Sequence, residues 1–274
     1  MTFALLGGDA RCVYLAELLR ADGHTVRPFA LETAMPDCVP DADDAVAGAD
    51  CVLLPIPCER GGALSAPFSA VRRPIPPLLA LCAPGTHVFA GGAGEELRSA
   101  CRRGALPLTD WLRREEFALR NADVTAEAAL ARLMQGDGAL RGSRILLSGF
   151  GRIGRCLTPK LLALGAQVTV LARSPEARTL AELTGCRAVR VLPKDERYDA
   201  VVNTVPAVLF GAEALTAFGD ARLLELASAP CGFDLEAARA LGKTVELCPG
   251  LPGTYAPLAA AAAMRDTIYS VLED

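Results

Sequence analysis

The stretch Arg144-Ile-Leu-Leu-Ser-Gly149-Phe-Gly151-Arg-Ile-Gly154 decides the fold of this chain. A short apolar run enters the pattern G-x-G-x-x-G directly, and a segment with the apolar spacing of a helix follows it. Gly149 permits a tight turn, Gly151 lets the backbone approach a pyrophosphate, and Gly154 lets the helix pack closely on the strand. Unpaired N–H groups at the start of such a helix bind phosphate. The stretch therefore predicts the strand, turn and helix of a dinucleotide-binding fold.

The end of the next strand indicates which dinucleotide is bound. The apolar run Gln167-Val-Thr-Val-Leu-Ala172 predicts that strand, and NAD-binding folds usually place Asp or Glu after it to bond the ribose 2′-hydroxyl. This chain has Arg173 and Ser174 there, and these side chains bind a 2′-phosphate that a carboxylate would repel. The sequence thus favours NADP, and NAD remains the alternative if Arg173 is only a solvated arginine at a strand end.

Two further strand ends are predicted to complete the cofactor site. The strand that ends at Asn203 leads into a polar turn, which we expect to face the nicotinamide half of the cofactor. Ser228 follows the next apolar strand. The predicted cofactor-binding residues are Gly149, Phe150, Gly151, Arg152, Ile153, Gly154, Arg173, Ser174, Asn203, Thr204, Val205, Pro206 and Ser228.

Composition excludes several classes of function. The 274 residues are 51% hydrophobic and 22% charged with a net charge of −4, which is typical of a globular protein with room for two domains. There is no basic excess for a nucleic-acid backbone, so we expect no nucleic-acid partner. The start of the chain lacks a basic segment of the signal-peptide type, and no apolar run approaches a membrane span. We therefore expect a cytoplasmic protein without membrane contact.

The ten cysteines do not form a metal-binding pattern. No C-x-x-C pair occurs and the chain has only two histidines, so we predict reduced thiols and no metal site. Cys58 and Cys231 lie in loop-like contexts and are the candidates for a nucleophilic thiol, although neither has a histidine nearby in the sequence.

The amino-terminal half predicts a second β-α-β unit. Its turn, Gly7-Gly8-Asp9, lacks a third glycine and carries a carboxylate that would repel phosphate, which indicates the floor of a substrate pocket. A helix predicted over 124–134 would separate the two domains, and the alanine-rich helix predicted over 257–272 would cross back to the first. We predict an α/β fold of two Rossmann-like doubly wound domains with a cleft between them. The predicted limits are 1–122 plus 257–274 for a flavodoxin- or Rossmann-like substrate domain, and 123–256 for an NADP-binding Rossmann domain.

Six motifs in chain order resemble the A-subunit family of dipicolinate synthase. Each motif is weak alone, but their order through nearly the whole chain is specific. They are Gly7-Gly8-Asp9-Ala-Arg11 with Tyr14-Leu-Ala-Glu17, Asn121-Ala-Asp-Val-Thr125-Ala-Glu127, Gly149 to Gly154, Asn203-Thr-Val-Pro206-Ala, Leu226-Ala-Ser228 with Gly232 and Asp234, and Pro249-Gly-Leu-Pro-Gly253 with Pro257.

The resemblance implies a reaction and a partner. It implies NADP-linked oxidation of a dihydrodipicolinate-type intermediate to dipicolinate, the calcium-chelating pyridine-2,6-dicarboxylate made during sporulation. It also implies a hetero-oligomer with a second, flavoprotein-like B-subunit.

A dicarboxylate substrate requires cations and a route for a proton. Arg11, near a helix start, and Arg60, in a glycine-rich turn, are the predicted carboxylate ligands, although either could be a solvated surface arginine. Thr125 is a further predicted substrate contact, at a helix start that faces the hinge. Asp9 and Glu127 are the predicted proton acceptors, with water or a purely capping role for Glu127 as the alternatives.

Two other dehydrogenase mechanisms are poorly supported. A D-2-hydroxyacid dehydrogenase needs a histidine beside the cofactor, but His24 and His87 both fall in the first domain. A shikimate-type dehydrogenase needs a substrate-domain lysine, but Lys160, Lys194 and Lys243 all fall in the second. A non-catalytic NADP-binding sensor or scaffold protein, and an NADP-dependent dehydrogenase of another small acid, remain the alternatives.

Overall fold

Two parallel sheets form the framework of the chain. The computed structural model describes residues 1–136 and 138–273. The chain divides into one unit formed by Met1–Asn121 with Pro252–Asp274, and a second formed by Ala122–Leu251. The predicted limits assign 252–256 to the cofactor domain. The structure instead groups this segment with the first unit, where a Cβ on Gly253 would lie 2.8 Å from Asp9 Oδ2.

The first half of the chain supplies seven strands and five helices within the described ranges. They are β1 (Thr2–Leu6), α1 (Ala10–Ala21), β2 (Thr25–Phe29), α2 (Ala42–Val46), β3 (Cys51–Leu53), β4 (Glu59–Arg60), β5 (Ala63–Leu64), α3 (Ile75–Leu79), β6 (His87–Ala90), α4 (Glu95–Arg103), β7 (Leu108–Asp110), a 3₁₀ turn (Trp111–Arg113) and α5 (Glu115–Met134).

The remaining elements follow in the same alternating order. They are β8 (Arg144–Ser148), α6 (Arg152–Ala163), β9 (Gln167–Leu171), α7 (Pro175–Leu183), β10 (Arg187–Val189), β11 (Ala200–Asn203), α8 (Ala212–Ala217), β12 (Arg222–Glu225), α9 (Leu235–Ala240), β13 (Val245–Leu247), α10 (Leu251–Tyr255) and α11 (Pro257–Glu273).

The first sheet has the parallel strand order β2-β1-β3-β6-β7, and β4 pairs antiparallel with β5 as a small hairpin. Strand β1 is buried on both faces because its side chains alternate between two apolar cores. Ala4 and Leu6 enter one core, whereas Phe3 and Leu5 enter the other. Helix α11 packs against α1 in the second of these cores, as the sequence predicts for the carboxyl-terminal helix.

The second sheet has the parallel order β10-β9-β8-β11-β12-β13. The chain leaves β8 and turns to β9 on one side, and β11 pairs with β8 on the other. Strand β8 therefore lies where the strand order reverses, and ligands bind at the carboxyl ends of strands at such a point. The predicted α/β class with parallel sheets is confirmed.

Helix α5 is longer than the sequence predicts. The sequence predicts a helix over 124–134, but α5 begins at Glu115. Neither glycine nor proline interrupts its 20 residues, and Glu115 and Glu116 in the first turn complement the positive end of the helix dipole. Thr125 and Glu127 therefore lie in the middle of a helix, not at its start.

Within the described ranges, no helix combines the length and the apolar character that crossing a membrane requires.

Candidate functional site

The turn after β8 has the geometry that its glycines predict. Gly149 has a φ of +87°, and a Cβ there would lie 2.5 Å from Thr204 Oγ1. A Cβ on Gly154 would lie 2.6 Å from the carbonyl oxygen of Gly149. Both distances are far below van der Waals contact, so only glycine fits at these two positions.

Gly151 differs from the other two glycines. It caps α6 with a φ of −80°, which any residue adopts, and beyond its two neighbours in the chain no described atom lies within 4 Å of the place a Cβ would occupy. As a glycine it has no side chain that could cap the first turn of α6. The free space therefore fits a phosphate that approaches the positive end of this 12-residue helix.

A cavity of about 840 Å³ opens beside this turn, entirely within the second unit. Its volume is within the range of cofactor sites. None of the described residues that line it is Asp or Glu. The lining comes from Gly149–Gly151, Leu171–Ser174, Ala177, Arg190–Leu192, Val205, Leu209 and Phe210.

The two predicted 2′-phosphate ligands lie on this cavity. Arg173 and Ser174 are both exposed and both line it. Arg178 Nη1 donates to the carbonyl oxygens of Ala172, at 3.0 Å, and Arg173, at 2.6 Å, which fixes the backbone at the end of β9. Ser174 begins α7 and its Oγ accepts from the Ala177 N–H at 3.4 Å, which leaves the hydroxyl proton for another acceptor.

Asn203 has a different environment from the one that the sequence predicts. Its side chain is completely buried, so it does not present its amide to a cofactor. Asn203 Nδ2 donates to Glu225 Oε1 at 2.6 Å and to the Val205 carbonyl at 2.9 Å, while Oδ1 accepts from Ser148 Oγ at 2.5 Å. These bonds connect the glycine turn with the ends of β11 and β12, and they make Asn203 a structural link between the loops.

Glu225 is the centre of this buried network. Oε1 also accepts from the Ala227 N–H at 3.0 Å, and Oε2 accepts from the N–H groups of Gly232 at 2.7 Å and Phe233 at 3.3 Å. Gly232 fits only as glycine, since a Cβ would lie 2.3 Å from the Asn203 amide. The carboxylate thus holds the whole loop after β12.

The other predicted cofactor residues occupy varied positions. Thr204 Oγ1 donates to the Ser148 carbonyl at 2.8 Å, and Val205 lines the cavity. Pro206 and Ser228 are exposed in the loops after β11 and β12. Three residues of the G-x-G-x-x-G motif complete the set: Phe150 is buried and lines the cavity, Arg152 is exposed at the start of α6, and Ile153 packs on the core.

In the first unit, the side chains of Asp9 and Arg11 form an ion pair with two hydrogen bonds. Arg11 Nε and Nη2 donate to the two Asp9 carboxylate oxygens at 2.9 and 2.8 Å, and Nη2 also donates to the Ile56 carbonyl. Asp9 also caps α1 through the Arg11 N–H at 3.1 Å. Arg11 is only 5% exposed. Its guanidinium is therefore largely engaged by Asp9 rather than open to a substrate, contrary to the role predicted for it.

The pKa of Asp9 argues against its predicted role as a base. Burial raises this pKa, but the hydrogen bonds and charge of Arg11 outweigh burial and lower it below the ordinary value. A carboxylate with a lowered pKa is a weak proton acceptor near neutral pH. Arg60 contributes to the same lowering, which places it near Asp9, and Arg60 itself is exposed on β4.

Thr125 and Glu127 lie on α5 in the second unit, whereas Asp9 belongs to the first. Thr125 is buried, and Glu127 Oε1 lies 3.6 Å from Lys160 Nζ on α6. Lys160 Nζ also contacts Asp123 Oδ1 at 3.0 Å, and that hydrogen bond raises the pKa of Lys160. Glu127 is thus part of an ion-pair cluster that joins two helices, and it does not line the cavity.

The cysteines are free thiols. Burial raises the pKa of Cys58 to about 11, so this candidate nucleophile is protonated at neutral pH, and Cys231 is half-buried. Among residues 1–136 and 138–273, no cluster of three or more His, Cys, Asp or Glu side chains could hold a metal ion.

Comparison with known proteins supports the resemblance. Residues 2–112 match the family model of the N-terminal domain of the dipicolinate synthase A-subunit. The dipicolinate synthase A-subunit of Bacillus subtilis (strain 168) is 27% identical over an alignment that covers 100% of this chain and 96% of that protein. The chain resembles the dipicolinate synthase A-subunit along its whole length.

Solved structures agree with this relationship at the level of the fold. The dipicolinate synthase A-subunit of Bacillus halodurans matches with a TM-score of 0.87 and 24% identity, over 100% of this chain and 98% of that one. A transhydrogenase from Sinorhizobium meliloti matches with a TM-score of 0.68 and 17% identity, over 99% and 92%. The chain thus shares its fold with the Bacillus halodurans protein and with this transhydrogenase.

Sequence reasoning missed two residues of the site. Glu225 is the one charge within the apolar run Leu223-Leu-Glu-Leu-Ala227, and that pattern indicates a buried, hydrogen-bonded carboxylate. Arg190 follows β10, the strand that pairs with β9, so alignment of the two strand ends would have placed it near Arg173.

Proposed function

We propose that this chain is an NADP-dependent oxidoreductase that oxidises a dihydrodipicolinate-type ring to dipicolinate during sporulation. The observation that carries the proposal is the cavity beside α6, where a glycine-capped helix start and arginines, with no carboxylate among the described lining residues, suit a phosphorylated dinucleotide. Full-length similarity to a protein named as the dipicolinate synthase A-subunit supports the choice of substrate.

The residues of the second unit would hold the cofactor. Gly149 to Gly154 would bind the pyrophosphate, and Arg173 with Ser174 would bind the 2′-phosphate. When bound, the nicotinamide would accept a hydride from the dihydropyridine ring as that ring becomes aromatic. The loops held by Glu225 and Asn203 would keep one wall of the site rigid.

The substrate is a dicarboxylate, and Arg60 is the exposed cation that suits one of its carboxylates. Oxidation of the ring also releases a proton. Asp9 and Glu127 are both ion-paired, so water is the better proton acceptor, and aromatisation supplies driving force that makes a strong base unnecessary. The partner we propose is a flavoprotein-like B-subunit, following the resemblance of this chain to the A-subunit family.

The ion-paired state of both predicted acceptors also favours a second candidate, a protein that binds NADP without catalysis. A turnover assay distinguishes the oxidoreductase from the non-catalytic NADP-binding protein. Purified chain, alone and mixed with the flavoprotein-like partner, would be given dihydrodipicolinate and NADP, and the ultraviolet absorbance of the pyridine product would be followed. Product formation supports the oxidoreductase. NADP binding without product in either mixture would contradict it and support the non-catalytic role.

A glycine variant tests the cofactor site itself. Gly151→Val should fold normally, because its φ and the free space tolerate a side chain, but the valine would occupy the place of the pyrophosphate. We expect NADPH affinity to fall by at least about tenfold, measured by fluorescence titration.

Gly94→Val is the matched control. Gly94 also caps a helix with an ordinary φ of −74°, and beyond its two neighbours in the chain no described atom lies within 4 Å of its Cβ position, but it belongs to the first unit. Its NADPH affinity should equal that of the wild type. Equal affinity of the Gly151 variant and the wild type would exclude the turn as the pyrophosphate site.

A further inference from the structure

A second arginine lies on the proposed cofactor cavity. Strands β9 and β10 pair in parallel with Leu171 opposite Val189, and the Ala172 N–H donates to the Val189 carbonyl at 3.0 Å. Arg173 and Arg190 follow closely after these adjacent strand ends. Both are exposed and both line the same cavity.

Arg173 and Arg190 differ in their charge environment from two arginines nearby. Arg187 pairs with Glu196, and Arg155 Nη2 lies 3.9 Å from Glu176 Oε1. In the part of the chain that the structure describes, Arg173 and Arg190 take part in no ion pair, and no carboxylate lines their cavity.

Two uncompensated guanidinium groups on one cavity favour a doubly charged anion. A phosphate monoester carries a charge of about −1.5 to −2 at neutral pH and offers three acceptor oxygens, enough for two arginines. The pyrophosphate of a dinucleotide would be bound elsewhere, at the glycine turn. The group left for the arginines is the 2′-phosphate of the adenosine half.

We propose that Arg190 is the second arm of a clamp for the 2′-phosphate of NADP(H), together with Arg173, and that it sets the preference for NADP(H) over NAD(H). The proposal rests on the proposed function, since it concerns the same cavity. Arg178 supports the clamp because it fixes the backbone carbonyls of Ala172 and Arg173. The contribution of Arg190 should therefore appear only with ligands that carry a 2′-phosphate.

Calorimetric titration of the full chain with two adenosine fragments tests this assignment. The probes are 2′,5′-ADP, which carries the 2′-phosphate, and 5′-AMP, which lacks it. Arg190→Gln removes the charge but keeps most of the stem, and it should weaken 2′,5′-ADP binding by about tenfold while changing 5′-AMP binding by less than about twofold. The wild-type affinity for 2′,5′-ADP should fall more steeply with salt than that of the variant.

Arg197→Gln is the control, because Arg197 is an exposed arginine a little further along the same segment and does not line the cavity. It should bind both probes like the wild type. Unchanged 2′,5′-ADP affinity in Arg190→Gln, or equal losses for both probes, would overturn the clamp, the second result because it indicates contact with adenosine instead.

Binding of intact NADPH and NADH distinguishes failure of the proposed function from failure of the clamp alone. A wild-type protein that binds neither NADPH nor NADH would refute the proposed function and the clamp together. A wild-type protein that prefers NADPH, with Arg190→Gln retaining the same preference, would overturn only the clamp.

Discussion

At the residue scale, Glu225 shows how much can depend on one buried carboxylate. Each of its oxygens accepts two hydrogen bonds, and all four partners are N–H donors, from Asn203, Ala227, Gly232 and Phe233. A glutamine has nearly the same shape, but its NH₂ group would face two of these donors in either orientation. The site therefore accepts a carboxylate and excludes its closest isostere.

We predict that Glu225→Gln lowers the free energy of unfolding by at least about 2 kcal/mol, because two buried donors lose their acceptor. Urea denaturation at neutral pH measures the change. The control is Glu213→Gln on α8, where the side chain is exposed and the loss should be small. Equal stability of the two variants would show that the network contributes little.

Individual residues of the site also show what the sequence could predict. Gly149 and Gly154 were predictable because a turn of fixed geometry needs glycine at fixed spacing, and the structure shows the expected steric reasons. The bonding partners of Asn203 and Arg11 were not predictable. Asn203 meets Glu225 across a strand pair, so tertiary packing determines its partner. Arg11 pairs with Asp9, only two residues away, but its burial also depends on the distant Ile56 carbonyl, which the local sequence does not indicate.

At the element scale, α5 depends on an arginine far along the chain. Arg222, the first residue of β12, donates from Nη1 to the carbonyls of Leu133 at 3.0 Å and Arg132 at 3.2 Å, which lie in the last turn of α5. Helix-terminal carbonyls have no partner within their own helix, so a cation there both satisfies and neutralises them. Arg222 is anchored in turn by Glu246 on β13, at 3.2 Å.

Arg222→Ala should therefore fray the end of α5 and lower the free energy of unfolding by about 1 kcal/mol, a modest value because the arginine is partly exposed. Amide hydrogen exchange at residues 130–134 should accelerate. Arg239→Ala removes an exposed arginine from the last turn of α9 and should leave that exchange unchanged. Protection of 130–134 equal to the wild type in the Arg222 variant would contradict this account.

The extent of α5 illustrates why elements are harder to predict than motifs. The segment before Thr125 contains polar residues that are compatible with a loop, and its helical state follows from uninterrupted helix propensity from Glu115 onward. Lys160 on α6 then pairs with Asp123 and Glu127 of this helix, a contact between elements that no local pattern indicates.

At the scale of the whole molecule, each parallel sheet has its own pair of apolar cores, and α11 belongs to the first of the two units. Met264 on α11 is 1% exposed and shares a core with Leu15 and Trp111. The described lining of the proposed cofactor cavity comes from the second unit. Stability of the first core and cofactor affinity should thus be separable.

Met264→Ala tests that separation, because it leaves a void in the first unit and should lower the free energy of unfolding there by about 2 to 5 kcal/mol. Trp111, the only tryptophan in the sequence, is buried in the same core, so its fluorescence during urea denaturation reports on this unit. Leu258→Ala is the control on the same helix, since Leu258 is 51% exposed and its substitution should shift the denaturation midpoint little.

NADPH affinity should be unchanged in both variants under native conditions. An unshifted tryptophan transition in Met264→Ala would mean that α11 does not stabilise the first core, and a matching loss of NADPH affinity would mean that the two units are energetically coupled.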